Sequence, residues 1–266
     1  MPWIPRGLRD GIVTTGYPRR DDDYGPGFQG AVVVDPGHGS IPEVLASIEA
    51  CPTQAIALRD DRIELDRGRC ILCARCVQMA PQVFRFDRSF ESAVHGRRSL
   101  VVPNLPESDA ARESAREELA RRTKALRRSI HIRHVDGGSD GADEWEVAAL
   151  TNPIYDVQRL GIFFTASPRH ADVLLVTGIG SAGMRGPLRH TFDVMPNPKV
   201  VIAAGVDAAS GGMFARGYAS SGGIGDVVPV DIFVPGSPPS PFSLLHSILL
   251  AVGLLSEPPT SGRSTP

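Results

Sequence analysis

The residues in this chain best placed to do chemistry are its four cysteines, the only ones among 266 residues. Cys70, Cys73 and Cys76 lie in CILCARC, a C-x2-C-x2-C triplet, and Cys51 stands directly before Pro52. Four thiolates are soft ligands that can hold the irons of an iron–sulfur cluster. The same set could ligate one structural zinc ion. It could also pair as two disulfides, although these suit small secreted chains, and MPWIPRGLRD has no apolar leader core.

The spacing favours one [4Fe–4S] cluster. The pattern resembles that of bacterial two-cluster ferredoxins, which carry two C-x2-C-x2-C-x3-C-P runs, the last cysteine of each ligating the other run's cluster. Cys51-Pro52 is the end of a first run, and Cys70, Cys73 and Cys76 are the triplet of a second. The first triplet would fall at 41, 44 and 47, which are Ile41, Val44 and Ser47, and the last ligand of the second run would be Ala80. One ligand set is complete and the other is missing altogether.

These cysteines need a small scaffold around them. AVVVD, AIALRD, RIELD and VFRFD read as its strands, and the segments 42–49 and 74–78 as its short helices. This places an α+β ferredoxin-like [4Fe–4S] domain over 31–104, preceded by an extended arm over 1–30. Residues 105–128, with acidic residues leading and basic ones following, read as a solvated linker helix. From 129 to 256, SIHIRHV, DVLLVTG, KVVIAAG and VPVDIFV alternate with helical stretches such as MRGPLRHTFDVM. That alternation predicts an α/β domain with a parallel sheet and helices on its faces, and the expected type is flavodoxin-like. The segment from Phe242 to Leu255 reads as an apolar helix buried in the core or against a partner. Residues 257–266 read as a disordered tail.

A net charge of −2 gives no sign of a nucleic-acid partner. The longest apolar stretch near the end, Ile248 to Leu255, is too short to span a bilayer. The expected location is cytoplasmic, with any membrane association made through partners.

In an open α/β sheet, ligands gather at loops beyond the carboxyl ends of strands. Three such loops are VDGGSDGADEWE (135–146), GVDAASGGMF (205–214) and VPGSPPSP (234–241). Together with RSIHIRHVD, ALTNPIYDVQRLGI, SPRHADVLLVTG and LRHTFDVMPNPKVVIAAG, they resemble the small subunit of energy-converting [NiFe] hydrogenases and formate hydrogenlyases. The B-type, 20-kDa subunit of complex I belongs to the same family. The amino-terminal part resembles the ferredoxin-type subunit of those complexes, so the chain looks like a fusion of two subunits. The resemblance implies a large hydrogenase-like or 49-kDa-like partner, membrane-arm subunits reached through the complex, and a place peripheral to the inner membrane.

The family holds a second [4Fe–4S] cluster on four cysteines in those loops. The matching positions here are Asp140, Asp143, Asp207 and Ser237. Hard oxygen donors do not suit such a core. The expectation is a pocket that is vacant and solvated, compensated by backbone groups or by an arginine such as Arg159 or Arg169, or occupied by a hard cation. The resemblance also sets Tyr155, Asp156 and Arg159 at a subunit interface, with core packing as the alternative.

GIGSAG at 178–183 fits the dinucleotide fingerprint, with Asp207 at a suitable distance, and keeps nucleotide binding open. His131, His134, His170 and His190 form no ligand pattern. The overall expectation is an electron-transfer subunit with one cluster on Cys51, Cys70, Cys73 and Cys76. The alternative is a structural or assembly scaffold.

Overall fold

The computed structural model describes residues 3–22, 24–25, 27–35, 41–60, 62–103, 106–124, 126, 129–215 and 217–255. The side chains of residue 41 and residues 106–109 are not among the described parts, and the expected disordered tail lies outside them.

The amino-terminal segment is not extended throughout. It opens with helix α1 (Trp3–Asp10) despite Pro5 and Gly7, and none of the helix's residues is buried. Residues 14–22, 24–25 and 27–28 then run over the carboxy-terminal domain. Thr15 N donates to Ile154 O at 2.8 Å, and Thr14 Oγ1 to Pro153 O at 2.8 Å.

Strand β1 (Ala31–Val34), helix α2 (Ile41–Ala50), strands β2 (Ile56–Arg59) and β3 (Arg62–Asp66), helix α3 (Arg75–Met79) and strand β4 (Phe84–Asp87) follow. β1 pairs antiparallel with β4, and β2 with β3. Their shared core holds Val32, Val44, Ile56, Leu65, Cys76, Ala80, Val83 and Phe84.

The chain does not leave this unit cleanly. Strand β5 (Val94–His95) pairs antiparallel with a strand of the large sheet, placing His95 opposite Ile232. After a 3-10 turn (Arg97–Leu100), strand β6 (Val101–Val102) returns to β3. Helix α4 (Pro106–Thr123) follows. It is not solvated on all sides: Leu119 and Thr123 are buried, and Arg122 donates to Asp231 Oδ1 at 3.0 Å and Lys199 O at 2.7 Å.

The large domain contains β7 (Ile130–Asp136), α5 (Ala142–Ala149), β8 (Ile162–Phe164), β9 (Val173–Thr177), α6 (Arg185–Val194), β10 (Val200–Ala204), α7 (Gly205–Ser210), β11 (Ile232–Val234) and α8 (Pro241–Ala251). The sheet order is β5-β11-β10-β9-β7-β8, and all its pairings beyond β5 are parallel. Numbered within the domain, the parallel strands run 2-1-3-4-5, an order that fits the flavodoxin-like type.

Strands β9 and β10 are buried along their whole length, because helices cover both faces. Leu175, Ile202 and Ile232 pack with Leu245 and Ile248 of α8, and Leu174, Val201 and Phe233 pack with Leu188 of α6. Every residue of α8 is buried. Ser240 caps that helix, its Oγ accepting from Ser243 N at 3.2 Å. Among the described residues, no helix is long and apolar enough to cross a membrane.

Candidate metal centre

Two unlike cradles result, one lined by thiols and one by carboxylates. Cys51 follows α2, and Cys70, Cys73 and Cys76 wrap around the start of α3. All four line one cavity with Val32, Ser47, Ala55, Ile56 and Leu65. The winding requires left-handed backbone at Leu72 (φ 55°) and Ala74 (φ 65°), a conformation costing about 1–2 kcal/mol for each non-glycine residue. In return, amides face sulfur: Ala55 N donates to Cys51 Sγ at 3.2 Å, and the Leu72 and Val77 amides serve Cys70 and Cys76.

Burial pushes the Cys70 thiol up to about 12 and the Cys76 thiol up to about 11, with the neighbouring cysteines adding repulsion. Four thiolates crowded this way need a cationic core, which is what the irons of a cluster supply. Among the described residues, no three His, Cys, Asp or Glu side chains are gathered about a single metal-ion position. All four thiols line one cavity, and this soft donor set with the C-x2-C-x2-C and Cys-Pro spacing fits an iron–sulfur cluster.

The positions of the other run are filled differently. Val44 and Ala80 sit in the apolar core, and Ser47 is buried with its Oγ donating to Glu43 O at 2.9 Å.

The second cradle lies at the carboxyl ends of β7, β9, β10 and β11. The sequence reads its walls as loops, but two are helices: Asp143 is on α5 and Asp207 on α7. Asp140 is exposed and accepts from Ala142 N at 3.0 Å. Ser237 is exposed beyond β11, in a loop fastened to α7 by Val206 N donating to Gly236 O at 2.9 Å. Asp207 is half-buried and Asp143 buried.

Burial, followed by Asp207, Glu144, Asp140 and Asp136, pushes the Asp143 carboxyl up to about 8. Asp207 is also raised, by burial, Asp140 and Glu144. Neither arginine expected to compensate them does so. Arg159 Nη2 donates to Tyr17 O at 2.6 Å, because the arm passes over that edge of the domain. Arg169 is exposed on the 3-10 turn Pro168–His170.

Sequence reasoning missed the polar chain beneath this pocket. His134 Nε2 lies 3.0 Å from Thr177 Oγ1, Thr177 Oγ1 donates to Glu144 Oε1, and Ser139 Oγ donates to Glu144 Oε2 at 2.6 Å. His134 and Thr177 stand on paired strands in neighbouring register, a relationship that no local pattern reveals.

The other flagged residues have structural work. Tyr155 packs edge-on against Phe242, with ring centroids 5.1 Å apart, and its hydroxyl lies 3.3 Å from that of Tyr24. Gly178 of GIGSAG has φ 77°, and a Cβ there would lie 2.7 Å from the Gly138 backbone, so it serves loop-on-loop packing. His131 stacks on Phe163, while His170 and His190 are exposed.

Comparison with known proteins identifies the family. A model described as "NADH ubiquinone oxidoreductase, 20 Kd subunit" matches residues 141–251, and one described as "4Fe-4S single cluster domain" matches residues 63–121. The "Probable membrane-bound hydrogenase subunit mbhJ" of Pyrococcus furiosus is 34% identical over 150 residues, covering 56% of this chain and 90% of that protein. The chain belongs to the 20-kDa-subunit family.

Other members of the 20-kDa-subunit family are also similar. "Formate hydrogenlyase subunit 7" of Escherichia coli is 40% identical over 134 residues, 50% of this chain and 52% of that one. An NADH-quinone oxidoreductase subunit of Mycolicibacterium vanbaalenii is 49% identical over 105 residues, 39% of this chain and 56% of that one. The chain therefore spans about half the length of these two relatives. The single-cluster match takes in Cys70, Cys73 and Cys76, while Cys51 lies before it.

Proposed function

We propose that this chain is an electron-transfer subunit of a complex I-like or group 4 hydrogenase-like assembly, with one [4Fe–4S] cluster on Cys51, Cys70, Cys73 and Cys76. The single observation that carries the reading is that all four cysteines of the chain line one cavity. Once bound, such a cluster supplies one-electron storage at a potential set by burial and by hydrogen bonds to sulfur. The chain's own part is to orient four thiols, aim amides at them and exclude water with Val32, Ile56 and Leu65.

The carboxylate cradle stands where the family's second cluster would be, and its oxygens are the wrong donors for that core. Exposed Trp145, Met213, Phe214 and Tyr218 on or near its walls offer the apolar contact area a large partner needs. Assembly through such partners would hold the chain against a membrane.

Iron and sulfide analysis of the anaerobically purified chain, with EPR of the reduced form, tests the reading. It expects about four irons and one paramagnetic centre per chain. About eight irons, or two centres, would overturn it.

A scaffold role is favoured by the same carboxylates, because they interrupt any wire between the thiol cradle and a partner beyond α7. Reduction and reoxidation of the cluster by the purified parent complex during turnover supports transfer. A cluster that stays in one oxidation state throughout turnover supports the scaffold.

A further inference from the structure

Arg97 lies on the turn joining β5 to β6, where the chain passes from one sheet to the other. Its guanidinium is engaged on both sides. Nη1 and Nη2 donate in parallel to Asp66 Oδ1 and Oδ2, both at 2.7 Å, and Nε donates to Ala209 O at 2.9 Å.

Asp66 ends β3 and begins the turn leading to Cys70. Its Oδ1 also accepts from Gly68 N at 2.9 Å, and its carbonyl accepts from Arg69 N at 3.0 Å. Ala209 belongs to α7, the helix that carries Asp207. One side chain thus touches the turn that enters the thiol cradle and the helix that walls the carboxylate cradle.

The surroundings are shaped to this side chain. A Cβ on Gly68 would lie 2.8 Å from Arg97 Cζ and 2.8 Å from Leu100 Cδ1. Arg67 N donates to Leu100 O at 2.9 Å, fastening the same turn from the other side. The pair is partly withdrawn from water, with side-chain exposures of 30% for Arg97 and 21% for Asp66. Solvent therefore screens it less than a surface pair.

We propose that Arg97 is a positioning residue for the cluster. It supplies the shorter, two-pronged compensation of the Asp66 charge beside the Cys70 turn, which the more exposed Arg69 Nε also faces at 3.6 Å, and it fixes that turn against α7, so one guanidinium tunes both the cluster's potential and the rigidity of the joint between the cradles. The inference rests on the proposed cluster assignment. An uncancelled carboxylate near a cluster opposes the incoming electron and lowers the reduction potential. Lysine restores charge but cannot reproduce a planar fork with a third donor.

The test uses the full chain as wild type, Arg97→Met, Arg97→Lys and Gly68→Ala. EPR-monitored redox titration is paired with amide hydrogen exchange, the latter read on iron-loaded and iron-free protein. Arg97→Met should lower the potential, and Arg97→Lys should restore most of it. In both, amides at 67–70 and 207–211 should exchange about tenfold faster, the loss expected for a charge-assisted hydrogen bond. Gly68→Ala should loosen the same two segments with the Arg97 charge intact.

An unchanged potential in Arg97→Met, equal shifts in the Met and Lys variants, or faster exchange in only one of the two segments would overturn the proposal. If wild type takes up no iron, the cluster reading fails by itself. The exchange measurements on iron-free protein still decide whether Arg97 joins the two segments.

Discussion

Gly205 faces the Asp143 carboxyl so closely that a Cβ at that position would run into Asp143 Oδ2. The glycine also has φ 91°, a backbone shape that side chains resist. The first residue of α7 is therefore shaped around a buried acid from α5, and the carboxylate cradle is a packed structure.

Replacing that glycine tests the packing. Gly205→Ala should destabilise the chain by about 1–3 kcal/mol through strain and collision together. Denaturant unfolding of the anaerobic protein measures this, and an unchanged midpoint would mean that α7 and α5 are not in contact.

The buried acid makes a pH-dependent contribution. Asp143 is pushed up to about 8 in the folded chain from an ordinary 3.8, chiefly by burial and then by Asp207. The folded state holds the proton more tightly, so stability falls as pH rises between those values. Asp143→Asn should match wild type below about pH 4 and exceed it above about pH 8, by on the order of a few kcal/mol. Melting curves across that range check the sign, and a variant less stable than wild type at high pH contradicts it.

The four oxygen-bearing positions that the resemblance aligns with a second cluster can be tested together. With Asp140, Asp143, Asp207 and Ser237 all changed to Cys, reconstituted protein should gain about four more irons and a second paramagnetic centre. Failure to gain iron in a folded variant would show that these segments do not form a cluster cradle.

The arm is tied to the buried helix by a polar contact. Tyr17 Oη donates to Glu91 Oε1 at 3.1 Å and lies 2.8 Å from His246 Nδ1, with Tyr17, Glu91 and His246 drawn from separate parts of the chain. Burial, reinforced by Glu91, raises the Tyr17 phenol well above its usual range, so it stays protonated. Tyr17→Phe should cost about 1–3 kcal/mol and expose residues 11–20 to protease at lower temperature. Limited proteolysis against temperature reads the effect.

Much of this architecture is legible in local patterns, and the exceptions share a cause. Runs such as DVLLVTG and KVVIAAG declare buried strands because both faces are apolar, and they form β9 and β10. Strands β5 and β8 are too short to carry a period, and β5 owes its pairing to Ile232 and Phe233, far away in sequence. Glycine and aspartate make α5 and α7 read as loops, although both become helices once packed against β10, β11 and α8. The cysteines are legible as a set because covalent spacing survives without knowledge of the fold. That Arg159 does not serve Asp143 is not, since it depends on where the arm draws that arginine.

The excursion through β5 has a mechanical meaning. The polypeptide dips into the large sheet, bonds beside Ile232, and only then closes the small one through β6 against β3. The thiol-bearing part is thus sewn into its neighbour at mid-length, and pulling it away would unzip strands from both. It cannot swing on a tether to meet distant redox partners. On the proposed electron-transfer role, electrons would cross a fixed gap, and any gating would fall to whatever docks against the chain.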